Sequence, residues 1–215
     1  MPMTNTPFET DLHRQLTPFF AEHQYELISG KKQFRKNTAT GFQNVILSPS
    51  FYGDETWLEV NFGCRSEQIE QIAQQFLNNL RDYRPDANTL IISIGKFTDV
   101  KYFRYKIVTP DDLSDVCYQI QDFFMNRGFG FLDGSGTLPV LDVILNQQPN
   151  LPSKYVYNQT HRCYKALIAA RLNHNPRFDG LTDAYRHLLT RQTQNVHEQQ
   201  SFERLVAYLQ HYSAN

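Results

Sequence analysis

The chain has one tryptophan, three methionines and three cysteines in 215 residues. Cys64, Cys117 and Cys163 lie far apart. An odd number with no CxxC spacing argues against a disulfide framework and a structural zinc site, and it suits a reducing compartment. No stretch approaches the roughly 18 consecutive apolar residues of a spanning helix. The N-terminal MPMTNTPFETDLHRQL has no basic region followed by an apolar run, so no secretory leader is expected. These absences predict a soluble, cytoplasmic protein. Charge of one sign is also lacking: 21 Lys+Arg stand against 22 Asp+Glu, a net of -1. That balance gives no general attraction to nucleic acid or to an anionic membrane. There is no internal repeat and no long low-complexity run.

What is plentiful is bulk. Hydrophobic residues make up 40% and aromatics 13%, with 16 Phe and 12 Tyr, enough to build a core. Charge is unevenly spread. Residues 1–150 hold 13 Lys+Arg against 18 Asp+Glu, and residues 151–215 hold 8 against 4. Opposite charges predict that the two parts attract and dock. Five of the seven histidines, His161, His174, His187, His197 and His211, lie in the C-terminal part.

Phe8, Leu12, Leu16 and Phe19 recur at helical spacing after Thr6, a candidate N-cap, and Pro7, a first-turn residue. Tyr25 to Lys36 is β-prone and punctuated by Ser29-Gly30. Phe42–Leu47 and Glu55–Phe62 read as two strands around a turn. A helix follows from Ser66-Glu67, with Ile69, Ile72, Phe76 and Leu80 as its stripe. Thr89–Ile94 and Lys101–Val108 are strands, and Pro110 opens a helix running to about Arg127. The pattern predicts an α+β domain over 1–127, an antiparallel sheet flanked by helices in the order α-β-β-β-α-β-β-α. Gly128, Gly130, Gly134 and Gly136 predict a loop over 128–137, with Ser135 or Thr137 capping the next helix. Residues 138–215 then form a helical region (138–147, 157–172, 178–192 and 197–212), with 146–152 the best candidate linker.

Clustered glycines before a helix can surround a phosphate with N–H groups. Here no Gly-Lys-Ser/Thr follows and no strand leads directly in, so a connector is the better reading. Asp133-Gly134-Ser135-Gly136-Thr137 departs from the aspartic-protease triplet by an extra glycine and has no second copy. His161 and Cys163, two apart, point to different sides of a helix and do not form a nucleophile–base pair. No catalytic constellation emerges, and nothing calls for a cofactor or a metal.

The open question is the lone tryptophan. In Glu55–Phe62 the residues Thr56, Leu58, Val60 and Phe62 form the apolar side. Glu55, Trp57, Glu59 and Asn61 form the other. Tyr102, Arg104 and Lys106 alternate in the same way. If they share a face with Trp57, Glu59 and Asn61, the result is a mixed-charge aromatic surface of the kind found at binding hot spots. Two readings stay open: the face is exposed for a partner, or the C-terminal helices cover it.

The segments FAEHQYELISGKKQFRKN, QNVILSPS and WLEVNFG, within residues 8–64, resemble the bacterial domain-of-unknown-function family numbered 4304. That family runs from a helix into a β-hairpin, a strand ending near a Ser and a strand ending in a VN-x-G-like turn. The family's Gly-Phe at the hairpin start is replaced here by Gln24-Tyr25. The family supplies no catalytic residues. The element order is also similar to the type III secretion chaperone-like fold, which implies a commonly dimeric, protein-binding module. Residues and resemblances together predict a non-enzymatic protein-binding module (adaptor, chaperone-like or immunity-type), with another protein or a second copy as partner. Its contact residues would be Trp57, Glu59, Asn61, Tyr102 and Arg104. An alternative is an enzyme or small-ligand binder with a pocket between sheet and helices, lined by Arg104, Glu59 and His161. A third is nucleic-acid binding by the basic C-terminal helices.

Overall fold

The computed structural model describes residues 6–192 and 195–212. Residues 1–5, part of the stretch read for a leader, lie outside these. The fold is α+β, an antiparallel sheet with flanking helices and a helical C-terminal region. Two compact units divide the chain: Met1–Cys64 with Ile91–Gly134, and Arg65–Leu90 with Ser135–Asn215. The boundary differs from the expected cut near residue 128, because residues 65–90 pack with the C-terminal helices.

In the first unit, α1 (Pro7–Glu22) starts where the sequence signals it. The Glu9 N–H donates to Thr6 Oγ1 at 3.3 Å and the Thr6 N–H to the Glu9 carboxylate at 2.8 Å, a capping box with Pro7 in the first turn. Phe20, rather than Phe19, is the fully buried ring. The expected single strand over 25–36 is a hairpin, β1 (Glu26–Ile28) and β2 (Gln33–Thr38). A 3-10 turn at Ser29–Lys31 joins them, and Lys32 closes it in the left-handed region at φ 51°. β3 (Gly41–Tyr52) and β4 (Glu55–Ser66) follow. The sheet order is β1-β2-β3-β4-β5, with β5 at Leu90–Ser93, and β6 (Tyr105–Ile107) also pairs β4.

The predicted strand over 101–108 is thus only three residues long. Tyr102 stands outside it at φ 57°, a left-handed conformation that an extended strand does not admit. Its alternation survives where the strand exists: Tyr105 and Ile107 are buried and Lys106 is exposed.

The glycine segment is the larger correction. After the short α3 (Ile94–Phe97), α4 (Pro110–Phe123) continues through a π-helical turn at Phe124–Gly128 into α5 (Phe129–Gly134). A Cβ at Gly128 would lie 2.4 Å from Cδ1 of Phe124, so glycine here allows close packing rather than a loop. The aromatic content drives this ordering. Phe20 stacks on Phe34 (4.4 Å) and meets Phe124 (5.3 Å), which meets Phe62 (5.5 Å). Phe62 also contacts Phe97, Phe123 and Phe131. Phe34 of β2 and Phe62 of β4 therefore point to the same side, and Gln33, Arg35, Trp57, Glu59 and Asn61 line the other.

In the second unit, α2 (Glu67–Phe76) packs with α7 (Gln159–Leu172) and α9 (Val196–His211), and α7 packs with α6 (Leu138–Asn146) and α8 (Phe178–Gln192). α2 ends at Phe76, so Leu80 falls beyond the stripe and is exposed. Thr137 holds the N-cap position of α6 without a side-chain capping bond. The candidate linker at 146–152 is an internal turn, clasped by Arg162. Its guanidinium, 1% exposed, donates to the carbonyls of Leu145 (2.9 Å), Gln148 (2.9 Å) and Leu151. The first is an orphan acceptor at the end of α6 and the other two belong to the turn beyond it, all satisfied from another helix. Asp142 accepts from Asn146, Asn173 and Asn175 at 2.7–2.9 Å. Glu70, fully buried, pairs with Lys165 at 2.9 Å and also accepts from Thr89 and Gln74.

Among the described residues, no single helix is long and apolar enough to cross a membrane. Cys64, Cys117 and Cys163 are buried free thiols, and burial pushes Cys117 and Cys163 up to about 12.

Candidate functional site

β4 leaves the β3–β4 turn at Glu55 and alternates, so Leu58, Val60 and Phe62 enter the core while Glu55, Trp57 and Glu59 are only partly buried. β6 adds to this end of β4 in antiparallel register, with Thr56 opposite Ile107, Trp57 opposite Lys106 and Leu58 opposite Tyr105. The register brings three side chains together. The Trp57 indole N–H donates to Glu55 Oε1 at 3.0 Å. The Lys106 ammonium pairs with Glu55 Oε2 and stands 5.8 Å from the centre of the Trp57 ring, a cation–π distance. The hydrogen bond from Lys106, then that from Trp57, holds the Glu55 carboxyl below the usual carboxylate range.

The other sequence candidates divide. Arg104 is exposed, and no described residue pairs with its guanidinium. Tyr102 is 99% exposed in the turn before β6, outside the alternating register that was to align it with Trp57. Asn61, 9% exposed, is buried, so it is the least available of the five. Sequence reasoning passed over Phe51 and Tyr52, both about half exposed at the tip of the hairpin. Their signal was position: two aromatics beside Gly53, at a turn where burial is hardest to supply.

No family model, curated protein or solved structure matches this chain.

A second site belongs to the helical unit alone. Phe76, Leu77 and Asn78 at the end of α2, Thr160, His161 and Tyr164 at the start of α7, and Asn195, His197, Glu198 and Ser201 at the start of α9 enclose a cleft of about 380 Å³. His161 lines it, but this is not the pocket between sheet and helices of the alternative reading, and Arg104 and Glu59 do not line it. Tyr164 fixes the two helices by donating its hydroxyl to the Glu198 carbonyl at 2.6 Å. Burial, and next the Lys165 ammonium, lower the His161 pKa; Glu70 and Glu198 oppose them. The imidazole is therefore neutral at neutral pH. The one sequence-level signal for this cleft was the i, i+4 spacing of Thr160 with Tyr164 and of His197 with Ser201, each pair starting in a first helical turn. Nothing local says that α2, α7 and α9 meet. Among the described residues, no group of three or more His, Cys, Asp or Glu is gathered as a metal site needs.

Proposed function

We propose that this protein works by binding another protein through the hairpin end of its sheet, and that catalysis is not its role. The observation that carries this reading is the position of Trp57. The chain's largest side chain is only partly buried, on the sheet face opposite the aromatic core, held by Glu55 and flanked by Lys106. A tryptophan already fixed by a hydrogen bond loses little conformational freedom on binding, which favours it as an anchor. Phe51 and Tyr52 extend the apolar area. Lys101 and Arg104, exposed and unpaired among the described residues, suit a partner with carboxylates beside its apolar contact. Three buried thiols suit a reducing compartment such as the cytoplasm.

The test is site-specific photo-crosslinking in native host extract. A crosslinker is placed at Arg104 and, as a control, at the exposed Tyr118 of α4. A discrete adduct from position 104 and none from 118 is expected, and a second copy of the chain is one admissible partner. Trp57→Ala should weaken capture by about 2 kcal/mol or more, as truncated anchors do. Identical adducts from both positions, indifferent to Trp57→Ala, would contradict the proposal.

A further inference from the structure

The cleft at the end of α2 has a lining whose chemistry is largely uncommitted. The Glu198 carboxylate has no ion-pair or hydrogen-bond partner among the described residues, although it lies close enough to His161 to act on its charge. Lys165, the nearest cation behind His161, is already engaged by the buried Glu70. The His161 imidazole and the Thr160 and Ser201 hydroxyls likewise have no hydrogen-bond partner among the described residues. Phe76 and Leu77 supply an apolar wall. The volume falls in the range of roughly 300–1,000 Å³ usual for small-molecule sites.

Two helix starts border the cleft, yet they do not make it an anion site. The His161 N–H is taken by Asn158 Oδ1 at 3.1 Å, the His197 N–H by Asn195 Oδ1 at 3.0 Å and the Glu198 N–H by the Asn195 carbonyl at 3.1 Å. Three of the backbone donors at these helix starts are thus occupied, and the unpaired Glu198 carboxylate would repel an anion. What remains is a carboxylate, a lone pair on a neutral imidazole, two hydroxyls and an aromatic ring, a set that complements a positive charge with an apolar group attached.

We infer that this cleft binds a small organic ammonium ion, its charge on Glu198 and its apolar part against Phe76 and Leu77. His161 accepts a second N–H of the same ammonium group. This site lies in the helical unit and goes beyond the protein-binding reading of the sheet; either can fail without the other.

Three probes of one frame and different charge test it by calorimetric titration of the whole chain: phenethylamine, phenethyl alcohol and hydrocinnamate. The ammonium is expected to bind saturably and at least about tenfold more tightly than the other two. Glu198→Gln should abolish that preference. Because Glu198 also sits in the first turn of α9, where a carboxylate stabilises the helix, a second variant guards against misfolding. Ser201→Leu fills the cleft without changing charge, and it should abolish phenethylamine binding with an unchanged far-UV spectrum. Binding should also strengthen as pH rises toward about 6.5, because His161, which faces Lys165, Glu70 and Glu198, with His197 also in the cleft, loses its proton below its ordinary value. Hydrocinnamate binding as tightly as phenethylamine, binding indifferent to Glu198→Gln and Ser201→Leu, or no saturable binding by phenethylamine would each overturn the inference.

Discussion

The two units solve the problem of an interior in different ways. The sheet unit fills its core with rings: Phe20, Phe34, Phe62 and Phe124 are fully or almost fully buried and touch in sequence. The helical unit places charge inside: Arg162, Lys165, Glu70 and Asp142 are each less than 5% exposed. Ring contacts are tolerant in direction, and losing one costs area and packing. Buried charges are tolerant only while every partner stays, since a lone buried charge is far more costly than the pair is favourable. The sheet unit is therefore expected to weaken in increments, and the helical unit to fail when a single partner is lost.

Trp57 lies in the sheet unit, so its fluorescence follows that unit alone, whereas far-UV circular dichroism follows the helices of both; a dichroism change that fluorescence does not share belongs to the helical unit. The largest effect is expected from Lys165→Met. It strands Glu70 and should lower helical-unit stability by about 3–5 kcal/mol in denaturant titrations followed by circular dichroism. Adding Glu70→Leu should recover most of that loss, which no packing account of Lys165 alone would give. Gly128→Ala in the sheet unit is expected to cost about 1–3 kcal/mol, read from the fluorescence transition, because its methyl group meets the Phe124 ring.

The pH response sharpens the comparison. Each unit holds a histidine whose pKa burial lowers: His13, with Lys32 adding to the effect and Glu9 opposing it, and His161, with Lys165 adding and Glu70 and Glu198 opposing. The unfolded value is about 6.5. Below it the unfolded chain binds more protons than the folded one, so stability falls as pH drops from about 6.5 to the folded pKa. His161→Gln should flatten the pH dependence of the dichroism transition and leave that of fluorescence; His13→Gln should flatten that of fluorescence.

How much of this was legible in the sequence follows from the range of each interaction. Thr6-Pro7 and Pro110 announce helix starts because such signals act within four residues, and a capping box is present at both. Leu58, Val60 and Phe62 announce a buried strand side because alternation is local. The helix over Phe129–Gly134 was hidden because its glycines argue for a loop, while the rings that order it, Phe19, Phe20 and Tyr25, come from a hundred residues earlier. The Trp57–Lys106 meeting depended on a register between strands fifty residues apart, and Tyr102 was misplaced because a left-handed turn leaves no signature in a run of β-formers. The helical cleft joins three helix ends, and no local pattern encodes such a meeting.

The smallest stability effect is expected from Trp57→Ala, under about 1 kcal/mol, because the ring is not part of the core. The accessibility of that ring tests the account most directly. As the only tryptophan, Trp57 reports alone, and iodide quenching in the folded protein measures whether its face is open. The predicted result is long-wavelength emission and quenching at a substantial fraction of the rate seen after unfolding. Acrylamide should agree, which separates access from any attraction of iodide to Lys106. Blue emission protected from both quenchers, with Trp57→Ala costing about 3–5 kcal/mol like a buried aromatic, would contradict it.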